Sequence, residues 1–378
     1  MTSLDDGFTA HFGRRPTIRV QAPGRVNLIG EHTDYNEGLV LPVAISRYVR
    51  IAAAPNGTDH IRLRSFAYSG VADLRADAPA EASVPAWARY PQGVAVTLSR
   101  RGVRLAGVDA LIDSDLPIGS GLSSSAALEV AASLVFEQAA GSHLSPRDRA
   151  MLCHEAEVEF VGVPCGIMDQ FAVSLCRRGR ALFLDCRSLE THHLPLPAGL
   201  AIAVCDTGVR RTVGDSAYAA RRRECEDALA WLAVRGRHAS ALRDVTLDDM
   251  RLIEEMPDPL PRRVRHVVTE NARVIETARA VEGGEVTRLR DIFLASHDSL
   301  RDDYEVSTPE LDAMVEAALA SPGAVAARMT GAGFGGAVVT LVHRDRQGEF
   351  LEAVAGGYRR RTNREGAFFA SEATEGSP

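Results

Sequence analysis

Apolar and polar positions divide the chain into stretches that alternate residue by residue and stretches with helical spacing. Thr17 to Gln21 alternates and predicts a strand. Leu39 to Ile45, Val49 to Ala53 and Ile61 to Phe66 predict further strands, separated by turn signals such as Pro55-Asn-Gly-Thr. Ala72 to Pro85, rich in Ala, Asp and Pro, reads as a surface connection. Trp87 to Arg101 predicts an amphipathic helix with Val94, Val96 and Leu98 on its apolar side, and Val108 to Ile112 another strand. Apolar residues then recur at Ala127, Val130, Ala131, Leu134 and Val135, a helix. Ser145-Pro-Arg-Asp has an N-cap and a first-turn proline, and the helix it opens runs through Cys153, Ala156 and Phe160 to a stop near Gly162.

A second region follows. Leu182 to Asp185 and Leu200 to Cys205 predict strands. Ser216 to Val234 is an Arg/Glu-patterned helix carrying Tyr218, and Val264 to Val281, Val286 to Leu300 and Leu311 to Leu319 predict helices. Two apolar runs flank a glycine-rich turn between Met329 and Val342 and predict a strand pair. Ala370 to Pro378 reads as a frayed tail.

Length and charge narrow the possibilities. At 378 residues the chain can hold two domains with cores, and 46% apolar with 25% charged residues is the balance of a soluble protein. A net charge of -7 argues against nucleic-acid and anionic-membrane partners. No basic segment with an apolar run opens the chain and no run of about 18 apolar residues occurs, so neither a signal peptide nor a membrane span is expected. The six cysteines form no Cys-x-x-Cys pair, which predicts reduced thiols and a cytoplasmic protein. No lysine occurs anywhere. That excludes Schiff-base and pyridoxal-phosphate chemistry, and kinases built on a strand lysine.

The candidate chemistry centres on Leu116 to Ala131. Gly119 and Gly121 allow close approach or positive φ, and Ser123 to Ser125 stand where a helix begins with unpaired N–H groups. A phosphate suits that position. The loop lacks the Gly-Lys of a Walker A motif, so nucleotide charge would fall to backbone dipoles, Mg²⁺ and arginine. Between Ala22 and Pro42, Arg25, Asn27, Glu31, His32, Asp34 and Asn36 lie among Gly and Pro breakers. Without partners they cannot form a buried strand, leaving a solvated loop or a polyol-binding loop. Asp169 sits among Ile167, Met168, Phe171 and Val173 and is either a structural cap or ion-pair partner or a functional carboxylate. Gly331, Gly333 and Gly336 match the dinucleotide pattern, but a strand-like run follows where that pattern needs a helix, so NAD binding is rejected.

Together these motifs resemble the GHMP kinases of small metabolites and, within them, the galactokinases. The resemblance rests on Gly24-Arg-Val-Asn-Leu-Ile-Gly-Glu-His-Thr-Asp-Tyr-Asn-Glu-Gly, Leu116 to Ala127, Pro164-Cys-Gly-Ile-Met-Asp-Gln-Phe, Ser299-Leu-Arg-Asp-Asp-Tyr-Glu-Val-Ser and Met329 to Gly336. It implies an α+β fold of two GHMP domains, residues 1–175 and 176–378, with the active site in the cleft between them. It implies ATP-dependent phosphorylation of galactose at C1, the step that commits this sugar to catabolism. Asp169 would accept or orient the proton of the anomeric hydroxyl, with Arg25 beside it. Glu31, His32, Asp34, the Gly166 backbone and Tyr218 would bind the sugar. Gly119, Ser120, Gly121, Leu122, Ser123, Ser124, Ser125 and Ala126 would cradle ATP, and Ser125 with Glu157 would hold Mg²⁺. The partners implied are the sugar and Mg-ATP, on a monomer or weak homo-oligomer with no nucleic acid and no membrane. Residues 205–218 depart from the Asn-rich stretch of many galactokinases, which keeps L-arabinose or galacturonate open as the sugar. A non-catalytic sugar sensor is the other alternative, and the intact serine loop with Asp169 favours an enzyme.

Overall fold

The computed structural model describes residues 3–75, 84–117, 119–210 and 214–377. Ile118 of the serine loop, residues 211–213 of the divergent stretch, 76–83 of the expected surface connection and Pro378 lie outside the described residues.

The chain opens with helix α1 (Leu4–Phe12), capped by the Ser3 hydroxyl. Strands β1 (Ile18–Asn27), β2 (Leu39–Val40), β3 (Pro42–Pro55), β4 (His60–Ser65), β5 (Ala72–Arg75) and β6 (Val108–Ser114) follow, with α2 (Arg89–Arg100) before β6. All but β2 form a five-stranded sheet of order β1-β3-β6-β4-β5, antiparallel except for the β4–β6 pair. Helices α3 (Ser124–Ala140), α4 (Pro146–Glu155) and α5 (Met168–Leu175) complete this half. Helix α3 packs on β1 and β3 and is buried on several faces, as its run of Ala, Val and Leu requires. Its one deeply buried acid toward the C-terminus, Glu137, is satisfied by a bidentate pair with Arg149 of α4, at 2.8 and 2.9 Å.

Strands β7 (Arg180–Asp185) and β8 (Thr191–Pro195) join β2 in a three-stranded sheet. Strand β9 (Leu200–Asp206) then enters a four-stranded antiparallel sheet with β10 (Ala324–Thr330), β11 (Ala337–His343) and β12 (Ala367–Ser371), in the order β10-β11-β9-β12. Helices α6 (Gly214–Val234), α7 (Met250–Ile253), α8 (Leu260–Gly283), α9 (Arg288–Asp302), α10 (Pro309–Leu319) and α11 (Gln347–Thr362) accompany it.

Several expectations change. The polar cluster around Arg25 is neither solvated nor wholly loop: Arg25 and Asn27 are the last residues of β1 and are buried with partners. A register break at Pro23/Gly24 lets this happen, and a Cβ on Gly24 would lie 2.3 Å from Leu116 and 2.8 Å from the Leu122 carbonyl. Ala72 to Arg75 is a strand rather than a surface connection. The tail is not frayed. Strand β12 pairs with β9, Ala373 bridges Ile45, and the Ser377 amide donates to the Val173 carbonyl. The rejected dinucleotide pattern is indeed the turn of the β10–β11 hairpin.

The two halves are joined beneath the sugar-signature loop. The Asn27 amide donates to Thr330 Oγ1 (2.9 Å), whose hydroxyl donates back to the Asn27 carbonyl (3.1 Å), and Arg328 donates to the Leu28 carbonyl (3.1 Å).

Candidate active site

A cavity of about 530 Å³ is lined from both halves of the chain. At its centre is Asp169, in the first turn of α5. Arg25 donates to its Oδ1 through Nε at 2.7 Å, and the Ser123 hydroxyl donates to Oδ2 at 2.5 Å. The Arg25 guanidinium also donates to the Gly121 carbonyl at 2.8 Å, so one side chain ties strand β1, the serine loop and the carboxylate together. The expectation that Asp169 could not stay unpaired among apolar neighbours is met by an ion pair that still leaves its carboxylate in the cavity.

One side of the cavity comes from the segment after β1. Glu31 is buried, accepting from the Gly331 amide at 2.6 Å and from the Asn27 side chain, with Arg328 3.7 Å away. Burial pushes its carboxyl up, against the pull of Arg328 and Arg25. Asp34 accepts from the Tyr35 amide at 3.0 Å. Burial and the nearby Asp169 charge push it up to about 6. Gly166 faces Asp34 so closely that a Cβ there would stand 1.9 Å from the carboxylate Oδ2. His32 adopts φ +62°, with Nδ1 2.9 Å from the Tyr35 hydroxyl and Nε2 3.2 Å from the Ala332 carbonyl. Tyr218 lies against it, ring centroids 5.6 Å apart.

The other side is the serine loop. Gly119, Gly121 and Ser123 all have positive φ (72°, 76° and 60°), which turns the chain sharply into the N-terminus of α3. Gly119, Gly121 and Ser123 to Ser125 line the cavity. Ser120, Leu122 and Ala126 do not: the Ser120 hydroxyl donates to the Pro117 carbonyl, and Leu122 and Ala126 are in the core, so these three shape the loop with their side chains turned inward. Ser125 hydrogen-bonds Glu157, whose carboxyl is pushed up to about 7 by burial and by the Asp169 charge. Gln170 brackets Glu157 (2.5 Å) and the buried Glu129 (3.0 Å) with its amide.

Among the described residues no group of three or more His, Cys, Asp and Glu side chains could hold a metal unaided. Mg²⁺ in phosphoryl-transfer sites takes only one or two protein oxygens besides phosphate and water, so a hydroxyl and a buried carboxylate fit it. The charge balance points the same way. Among the described residues, four carboxylates (Glu31, Asp34, Glu157, Asp169) face two guanidiniums (Arg25, Arg210) in the cavity, a poor field for a polyphosphate without a divalent cation.

The cavity therefore gathers Arg25, Glu31, His32, Asp34, Glu157, Gly166, Asp169, Tyr218 and most of the serine loop. Sequence reasoning missed Tyr90 in α2, Arg210 and the Gly331–Ala332 backbone. Arg210 is held by Asp206 at 2.8 Å and lies against Gly119, whose added Cβ would be 3.0 Å from its Cδ. The i, i+4 spacing of Asp206 and Arg210 carried a readable signal, whereas nothing local marks Tyr90.

Such a site, a glycine–serine loop entering a helix N-terminus and facing an aspartate–arginine pair between two α+β halves, defines a GHMP-type small-molecule kinase. The GHMP kinase N-terminal domain model matches residues 89–177, the GHMP kinase C-terminal model residues 277–360, and the galactokinase galactose-binding signature residues 6–55. Galactokinase of Chloroflexus aggregans is 44% identical over 96% of this chain and 94% of its own. That of Roseiflexus sp. is 43% identical over 99% and 95%. The structure of Lactococcus lactis galactokinase complexed with galactose superimposes with a TM-score of 0.92 at 31% identity, covering 99% of this chain and 98% of that one. A mevalonate kinase structure, at 16% identity and a TM-score of 0.67, shares the fold. The chain belongs to the galactokinase family and is a sugar kinase with ATP as co-substrate. Among the described residues no helix is long and apolar enough to cross a membrane.

Proposed function

We propose that the chain transfers the γ-phosphoryl group of ATP to the C1 hydroxyl of galactose, giving galactose 1-phosphate and ADP. The observation that carries this reading is Asp169, held by Arg25 of β1 and by Ser123 where the phosphate-type loop enters α3, and in one cavity with Glu31 and Asp34. Asp169 takes or orients the hydroxyl proton as the C1 oxygen bonds to the γ-phosphorus and the bond to the β-phosphate oxygen breaks. Arg25 pairs with that carboxylate at 2.7 Å and offers positive charge to the transferred group. Gly119, Gly121 and Ser123 to Ser125 of the loop, with Arg210, face the polyphosphate. Ser125 and Glu157 would hold Mg²⁺, which neutralises phosphate charge. The halves 1–175 and 176–378 act as the two domains. In the same reading the enzyme is a cytoplasmic monomer or weak homo-oligomer, and six free thiols support a reducing compartment.

Galactose is favoured over the alternatives by the acids that face the sugar. A galacturonate carboxylate would enter a cavity already holding Glu31 and Asp34, where like charges repel. Inverting C4 to give glucose unpairs at least one hydrogen bond to a charged group. That amounts to roughly 1.5 to 3 kcal/mol, more than tenfold in kcat/KM. A coupled ADP-release assay over a sugar panel should therefore rank galactose first, L-arabinose (no C6) next, then glucose, with galacturonate inert. Arabinose above galactose would reassign the sugar, and no turnover at all would leave a sensor.

The metal assignment is tested through Glu157. Its carboxyl titrates near 7, and only the carboxylate binds a cation. The Mg²⁺ needed for half-maximal rate should thus rise as pH falls from 8 to 6, and Glu157→Ala should raise it at pH 8 and flatten the pH dependence. The same Mg²⁺ dependence in wild type and variant contradicts the placement.

A further inference from the structure

The sequence pattern Ser299-Leu-Arg-Asp-Asp-Tyr-Glu-Val-Ser touches no part of the cavity, yet its Tyr304 is fully buried 4.8 Å from the His32 ring. The hydrogen bonds around these two rings form a closed circuit. The Ala332 carbonyl can only accept, so His32 Nε2 carries the proton, and in the neutral imidazole Nδ1 accepts from the Tyr35 hydroxyl (2.9 Å). With its proton committed, Tyr35 accepts from Tyr304 (2.8 Å), and Tyr304 in turn accepts from the Cys225 thiol (3.2 Å). Burial pushes that thiol up to about 11, so its proton stays in place. Cys225 Sγ accepts from the Asn36 amide (3.6 Å), and the other hydrogen of the same amide goes to the His32 carbonyl (2.9 Å). The circuit thus begins and ends on His32, a non-glycine residue held at φ +62°.

A second anchor closes on the same place. The Val306 carbonyl accepts from the Phe334 amide at 2.7 Å, and a Cβ on Gly333 would lie 2.3 Å from that carbonyl. The turn that supplies Ala332 to His32 and Gly331 to Glu31 is therefore fixed by the segment that carries Tyr304.

We propose that Tyr304 and Cys225 are positioning residues for sugar recognition: through Tyr35 they fix the ring orientation and Nε2–H tautomer of His32, and with it the Ala332–Gly331 backbone that holds Glu31. Neither residue lines the cavity, so neither touches the sugar. The proposal rests on the galactose reading for its kinetic test alone.

Each variant removes the two neutral buried hydrogen bonds its side chain makes in the circuit, and because these act on His32 at second hand, Tyr304→Phe and Cys225→Ala should each raise the KM for galactose about three- to tenfold. The kcat and the KM for ATP should stay within about twofold, and Cys225→Ser, which keeps a donor and an acceptor, should restore the galactose KM. Combining Tyr304→Phe with Cys225→Ala should cost no more than the larger single effect, since both break one circuit. Unchanged galactose KM in both single variants, or equal losses for galactose and ATP, would overturn the proposal. Imidazole ¹⁵N NMR of the sugar-free wild type tests it independently of the substrate. Nε2–H at His32 is expected, and Nδ1–H would overturn it even if galactose is phosphorylated. Should galactose fail as substrate while Nε2–H is seen, the functional reading falls and the circuit stands.

Discussion

Replacement of Asp169 by Asn is expected to lower kcat by about 10²- to 10⁴-fold, the usual worth of a positioned general base. The substitution keeps the volume of the side chain and one oxygen that can accept from Arg25 or Ser123, so the cavity walls stay in place. What disappears is the negative charge that balances Arg25 and that, in the proposed reading, draws the C1 proton. Galactose binding, which the proposed reading assigns to Glu31, Asp34 and the Gly166 backbone, should persist in isothermal titration calorimetry. Removing the Asp169 charge also takes away one of the two main causes that raise Asp34, so galactose binding by the variant should hold to lower pH than in the wild type. A variant that keeps most of its turnover would make the aspartate a structural ion-pair partner. That would return it to the other reading its apolar neighbours allowed.

The second large effect is expected at Gly166. An alanine methyl there would sit 1.9 Å from Asp34 Oδ2 and 2.1 Å from its Cγ, far inside van der Waals contact. The Asp34 carboxylate is not the free end of a flexible chain. It is short and fixed by the Tyr35 amide, so either it or the 162–167 backbone must shift by about an ångström. A misplacement of that size in a positioning group costs about 10²-fold, and the loss in Gly166→Ala should appear in kcat/KM for galactose. Because the clash is confined to the cavity, the melting temperature should move little. A melting temperature lowered along with activity would instead make Gly166 a packing glycine, and near-normal kcat/KM would remove Asp34 from the sugar site.

The serine loop and its helix were legible because the information is local. Gly119, Gly121 and Ser123 to Ser125 stand next to the apolar spacing that starts α3, and the structure gives all of Gly119, Gly121 and Ser123 positive φ. The Ser145 cap and its proline likewise announce α4. Contacts across the chain were not legible. Arg25 and Asp169 are 144 residues apart, and only their meeting explains how a charged strand end can be buried. The tail failed for the same reason. Its Ser, Glu, Thr and Gly composition suits a loose end, but its backbone partners include Ala44, Val173 and Cys176, 200 or more residues earlier. Strands β2 and β3 were read with the wrong break because Ser46 and Arg47 interrupt the apolar run, while the pairing with β1 carries the strand past them. The Ser299 to Ser307 pattern was recognisable as a pattern and mute as to purpose, since its tyrosine works through two other side chains.

The stitching of Asn27 and Leu28 to Arg328 and Thr330 bears on how the enzyme moves. Hydrogen bonds between the Asn27 and Leu28 backbone and the Thr330 and Arg328 side chains join the first sheet to the hairpin of the second beneath Glu31, and the Gly30 amide adds another to the Glu270 carboxylate of α8 (2.9 Å). Parting the halves at this seam would break several buried hydrogen bonds at once. A hexose pocket built on this seam, as proposed, is preformed, and its occupant gains affinity by not having to organise it. Substrate exchange then has to proceed without parting Asn27 and Leu28 from Thr330 and Arg328.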